Sequence, residues 1–234
     1  AEAMVITGDL SDWGEVADYM RLRDRIAQIS MPVHLCIGNH DDRANFLKIF
    51  PDLADENGFV QKAVSVSRGT VILLDTWGPD THAGHFCAQR AGWLDQQLAD
   101  AKGSVWLFLH HNPMPTHLAP MDEIMLLDHV RLGSVIERYR RKIAHIFHGH
   151  CHLPLSGSFR GVPVSAPRGT NHAGWPNFGE KGLLSGSDLP EAYTVIFADE
   201  GSVTVHMVEY GYTGEIRVEG SPDYATWDKA TMQR

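Results

Sequence analysis

The sequence predicts one mixed α/β domain, and three observations carry that reading. Short apolar runs recur along the chain, and several close on a segment rich in Gly, Asn, Asp or His. Stretches with near-helical apolar spacing lie between them, and the last third has the character of antiparallel strands. At 234 residues the chain suits one domain and can bury a sizeable core without covalent staples.

Residues 4–7 (MVIT) form an apolar run that stops at Gly8-Asp9-Leu10-Ser11-Asp12, a strand feeding a loop. Only three residues precede it and no initiator methionine is present, so the chain reads as cut at its start. Val16, Met20, Leu22 and Ile26 keep helical spacing to about residue 30, and Pro32 ends the helix. Val33-His34-Leu35-Cys36-Ile37 reads as a buried strand closed by Gly38-Asn39-His40-Asp41. Residues 60–66 and 71–74, separated by Arg68-Gly69, are expected to pair antiparallel, and a helix follows over 89–101. Residues 104–109 form another apolar strand that runs into His110-His111-Asn112-Pro113, with Pro113 and Pro115 holding a loop. Residues 122–140 are helical by period, and 143–147 form a buried strand ending at Gly149-His150-Cys151-His152. Strands near 153–165, 193–198 and 202–208 follow, with Glu200-Gly201 as a tight turn. A domain over 1–208 is therefore expected, with polar, weakly patterned 209–234 as a C-terminal arm or tail and a candidate contact in a homo-oligomer.

Composition removes several function classes. Twenty basic against 29 acidic side chains give a net charge of −9, which opposes the attraction on which nucleic-acid binders depend. No apolar run approaches a membrane span, and nothing at the start has the layout of a signal peptide, so neither nucleic acid nor membrane is expected as partner. Cys36, Cys87 and Cys151 are too few and wrongly spaced for a disulfide framework or a thiolate zinc site, and a reducing, cytoplasmic compartment fits them. Fourteen histidines are the unusual feature, because imidazole binds metals and moves protons near neutral pH.

Four separate strands end in groups able to ligate a metal: Asp9, then Asn39 with His40, then His110, then His150 with His152. Sites in α/β sheets form beyond the carboxyl ends of strands, so these four clusters would face one crevice. A carboxylate, an amide oxygen and three imidazoles suit borderline divalent ions such as Mn, Fe, Co or Zn. Two such ions about 3.5–4 Å apart generate hydroxide at neutral pH and neutralise a phosphoryl group, a combination suited to phosphate-ester hydrolysis. An amide at Asn39 adds a ligand without charge that would repel an anionic substrate.

Taken in order, GDLSD, GNHD, LHHNP and GHCH resemble the motifs of the calcineurin-like metallophosphoesterase superfamily, over about residues 4–172. Their spacing is most similar to the bacterial branch of cyclic-nucleotide and glycerophosphodiester phosphodiesterases. The resemblance implies a four-layer αββα sandwich of two β-sheets flanked by helices, with a centre of two divalent metal ions where the sheets meet. It implies Asp9 as bridging ligand, Asn39, His110 and His150 completing one ion, and His152 serving the other. His40 resembles the histidine that contacts the phosphate or protonates the leaving group, and Asp12 the acid that orients it. His172 lies where this branch places another phosphate-contacting histidine, and His111 is a candidate pocket residue or a structural one. The expected activity is hydrolysis of a small soluble phosphodiester, a cyclic nucleotide or a glycerophosphodiester. A phosphomonoesterase on the same core and a catalytically silent binding protein are the alternatives.

One departure stands out. The family's Asp-x-His motif, and the strand before it, would lie upstream of Ala1. Asp80-Thr81-His82 matches it literally but follows Trp77-Gly78-Pro79 in a loop, and is read as a decoy. Trp13, Trp77, Trp93 and Trp106 are expected in the core or the pocket wall, and Trp175 is a candidate substrate contact. His145 and His148 are expected to be structural, His82, His85, His117 and His129 to be surface histidines, and Cys151 to carry no role.

Overall fold

A computed structural model describes residues 1–179 and 182–216. The chain runs β1 (Met4–Thr7), α1 (Val16–Ile26), β2 (Val33–Cys36), α2 (Arg43–Ile49), β3 (Lys62–Val66), β4 (Gly69–Leu73), α3 (Ala88–Asp100) and β5 (Ser104–Leu109). It continues through α4 (Ala119–Glu123), α5 (His129–Tyr139), β6 (Ile143–His148), β7 (Leu155–Phe159), β8 (Val162–Ala166), β9 (Ala173–Trp175), β10 (Ser185–Ser187), β11 (Ala192–Asp199) and β12 (Ser202–Glu209).

The main sheet has six strands in the order β3-β4-β5-β6-β8-β7, parallel from β4 through β6 to β8. Strand β5 explains why it is buried on both sides. Val105, Leu107 and Leu109 face α3 and α5, while Trp106 and Phe108 face the opposite layer. A run without polar alternation is what a strand covered on both faces requires. The opposite layer is made of parallel β1–β2 and the antiparallel β11–β12 hairpin, whose Val5, Cys36, Ile196 and Val205 meet Trp106, Phe108 and Phe147. Tyr19 of α1 and Phe46 of α2 cover the far side of β1–β2, packing with Leu35, Ile37 and Val60. Helix, sheet, sheet, helix is the expected sandwich.

Several expectations need correction. The helix expected over 122–140 is two helices, α4 and α5. Helix α2 and the β9–β10 hairpin have no counterpart in the sequence reading. Helix α2 has only seven residues, and its start is set by the Asp42 side chain accepting from Asn45 N at 2.7 Å. Trp13 is 81% exposed rather than in the core. Of the expected arm over 209–234, Glu209 closes β12 and ion-pairs with Arg168, and Tyr210 donates to the Thr170 carbonyl. Residues 217–234 lie outside the described part. Among the described residues no helix is long and apolar enough to cross a membrane.

Candidate active site

Strand register brings the four motifs together. In the parallel β1–β2 pair Thr7 lies opposite Cys36, so Gly8-Asp9 and Gly38-Asn39 leave the sheet side by side. In β5–β6 Leu109 lies opposite His148, and Gly149 N donates to the His110 carbonyl at 3.0 Å. The two layers are joined where His110 Nδ1 lies 2.7 Å from the Thr7 carbonyl oxygen. Glycine is needed at this junction: a Cβ on Gly8 would lie 2.5 Å from His110 Nδ1, and one on Gly38 would lie 2.2 Å from Asp9 Oδ1. Asp9, His150 and His152 themselves adopt left-handed backbone, with φ of 52°, 66° and 52°. Such conformations store a modest strain and aim side chains away from the strand direction.

Proton bookkeeping shows what belongs between these groups. A carbonyl only accepts, so His110 Nδ1 carries a hydrogen, and Nε2 is the ring atom turned to the other motif residues. That atom faces Asn39 Oδ1 at 3.0 Å and Asp9 Oδ1 at 3.3 Å. Asn39 cannot turn its amide hydrogens inward, because Nδ2 already donates to His82 Nδ1 at 2.9 Å. His150 Nδ1 reaches the same Asn39 oxygen at 2.8 Å. A carboxylate oxygen, an amide oxygen and imidazole nitrogens brought this close together are a donor set that fits a borderline divalent metal. Burial, reinforced by His110 and His148, holds His150 well below the ordinary histidine range. Burial and then His172 hold His152 down to about 4. Both rings are kept neutral, as metal ligation requires.

His111 is also close, with ring nitrogens within 4.8 Å of those of His110 and His150. Both of its nitrogens are engaged, Nδ1 with Thr76 Oγ1 at 2.8 Å and Nε2 with the His82 carbonyl at 3.2 Å. It is fully buried and does not line the cavity, so the structure gives it the structural alternative. What His111 fixes is the loop carrying His82.

A cavity of about 460 Å³ opens over the site, lined at one end by Asp9, Asn39, His40, His82, His150, His152 and His172. The His152 and His172 rings meet edge to face with centroids 4.2 Å apart. His40 N donates to Asp9 Oδ1 at 3.1 Å, and His40 Nδ1 lies 3.1 Å from the Asp12 carbonyl oxygen and 3.5 Å from its carboxylate. Asp12 thus orients His40 chiefly through its backbone.

Three residues were missed or misread. His82 is exposed, as expected, but it also lines the cavity and holds Asn39, a role the sequence reading did not give it. Asp41 is buried and accepts from Gly38 N at 2.7 Å, from Leu10 N and Ser11 N at 3.1 and 3.2 Å, and from the Tyr19 hydroxyl at 3.0 Å. It clamps the first two motif loops together, and burial pushes its carboxyl up to about 6. Asp75 is fully buried just beyond β4 and takes a two-pronged bond from Arg43, both arms 2.8 Å. The fourth letter of GNHD was a signal for Asp41, and the literal Asp-x-His match at Asp80-Thr81-His82 drew attention to His82 for a different role, whereas nothing near Asp75 pointed to its own.

Comparison with known proteins agrees with this geometry. Residues 1–154 match the family model described as calcineurin-like phosphoesterase. A probable cyclic nucleotide phosphodiesterase of Rhodopseudomonas palustris is 34% identical over 218 residues, covering 91% of this chain and 79% of that protein. A glycerophosphodiester phosphodiesterase of Enterobacter lignolyticus is 28% identical over 176 residues, covering 73% of this chain and 63% of that one. Among solved structures, a purple acid phosphatase from yellow lupin seeds superposes with a TM-score of 0.58 at 10% identity, over 89% of this chain and 44% of that one, a likeness of fold alone.

Proposed function

This chain belongs to the calcineurin-like phosphoesterase family, and from that premise we propose that it hydrolyses small phosphodiesters, a cyclic nucleotide or a glycerophosphodiester, with two divalent ions of Mn, Fe, Zn or Co. The observation that carries the reading is the convergence on His110 Nε2 of Asn39 Oδ1 at 3.0 Å and Asp9 Oδ1 at 3.3 Å, with His150 Nδ1 on the same Asn39 oxygen. Asp9, Asn39, His110 and His150 would hold one ion, and Asp9 with His152 would contribute to the second. Ions bound there supply Lewis acidity and nucleophile activation to the phosphoryl centre.

The chain's own groups do the rest. His40, with Nδ1 held by the Asp12 carbonyl, lines the cavity, where its ring would bind a phosphoryl oxygen or pass a proton to the leaving oxygen. His172, packed against His152, is placed to contact a non-bridging oxygen. Among the described residues lining the cavity there is no Lys or Arg. A diester carries one negative charge and a monoester about two, so this lining suits the diester.

Turnover of bis-p-nitrophenyl phosphate against p-nitrophenyl phosphate with added Mn(II) tests the reading. Preference for the diester is expected, and strong preference for the monoester overturns it.

A further inference from the structure

The cavity has a second end that phosphate chemistry does not use. Beside the histidines the lining is apolar: Leu118, Met121 and Ile124 come from α4 and its flanks, and Trp175, Leu183 and Leu184 from the β9–β10 hairpin. Trp175, Leu183 and Leu184 are 52%, 64% and 60% exposed, so apolar surface beside a polar centre is left facing water. Covering such surface is favourable by roughly 25 cal/mol per Å². The hairpin is fixed relative to the ligands, because Gly174 N donates to the His152 carbonyl at 2.8 Å and Trp175 pairs with Ser185.

Charge narrows the occupant. Among the described residues, Asp9 of the proposed metal centre is the one carboxylate that lines the cavity. Asn177, another polar residue on this wall, spends its side-chain oxygen on Gly179 N at 3.2 Å. Among the described residues this end offers few polar partners for a polyol head group. It offers a large indole face and aliphatic side chains, which suit a flat, uncharged ring.

Resting on the phosphodiesterase reading above, we propose that Trp175, Leu184 and Met121 form a clamp for the nucleobase of a cyclic nucleotide. The clamp makes the enzyme selective for nucleotide diesters over glycerophosphodiesters. Trp175 stacks on the base, while Met121 and Leu184 close on it from the sides.

The test compares kcat/KM for cyclic AMP and for glycerophosphoethanolamine, with Mn(II), in the wild type and in Trp175→Ala and Leu184→Ala. Wild type is expected to favour cyclic AMP at least tenfold. Base–aromatic stacking is typically worth about fivefold to a hundredfold in binding, so Trp175→Ala should raise KM for cyclic AMP by roughly tenfold. Its loss on glycerophosphoethanolamine should be several times smaller. Equal losses on both substrates, or preference of the wild type for glycerophosphoethanolamine, overturn the clamp while leaving the diesterase reading intact. Calorimetric titration of AMP onto the Mn(II)-loaded protein reads the clamp without turnover. A roughly tenfold weaker Kd in Trp175→Ala supports it, and an unchanged Kd refutes it even if no diester is hydrolysed. Failure to hydrolyse bis-p-nitrophenyl phosphate, with the calorimetric difference preserved, would instead count against the diesterase reading.

Discussion

Removing one side chain that touches no proposed metal position should still weaken metal binding. Asn39 presents its oxygen to His110 and His150 because its nitrogen is held by His82 at 2.9 Å. In His82→Ala the amide is free to turn over and offer NH₂ to the same groups, which removes a ligand. A hydrogen bond of this kind is worth about 1 kcal/mol net, which biases the two orientations by about fivefold. Partners that orient metal ligands typically cost 10- to 100-fold in affinity when lost, roughly the upper limit here. Loss of that bias alone should lower Mn(II) affinity, read by calorimetric titration of the metal-free protein, by up to about fivefold. His82→Asn, which returns an acceptor near the position of Nδ1, should recover part of the loss. Wild-type affinity in His82→Ala, with an unchanged thermal midpoint, would show that Asn39 is oriented by something else.

Other consequences follow from the same coordinates. Asp75→Ala strands Arg43 and Arg90 around a fully buried site and should cost about 3–5 kcal/mol in urea denaturation; a loss below 1 kcal/mol contradicts the buried-hub account. Gly38→Ala places a methyl group 2.2 Å from Asp9 Oδ1, so Mn(II) binding should fall steeply while circular dichroism stays native; unchanged binding refutes the close packing. Burial holds His145 down to about 4, below its unfolded value near 6.5. Its contribution is therefore complete above pH 6.5 and fades as pH falls toward 4, about 2 kcal/mol being lost between pH 7 and 5. His145→Gln should flatten that part of the stability profile, and an identical slope in the variant removes His145 as a cause.

Much of this was legible because it depends on local pattern. Apolar runs such as VHLCIG and SVWLFLHH state both that a strand is buried and where it stops, and a parallel sheet then aligns those ends. Asp9, Asn39, His110 and His150 were picked out that way, and the structure brings them to one place. What was missed depends on contacts distant in sequence. His82 reaches Asn39 only because Thr76 and His111, 35 residues apart, fix its loop. Asp75 resembles any polar residue after a strand until Arg43, 32 residues earlier, is brought to it. Trp13 was expected inside on the strength of its size, but its loop is held by Ser11 Oγ and carries the ring outward into solvent.

The claim on which the rest depends is that four strand ends converge to hold divalent metal. Metal content per chain, measured by plasma mass spectrometry after loading with Mn(II) and desalting, tests it most directly in wild type and Asp9→Ala. Tightly held Mn(II) in the wild type, lost in the variant while the fold persists, is the expected result. Equal metal content in the two proteins, or none in the wild type, would contradict it.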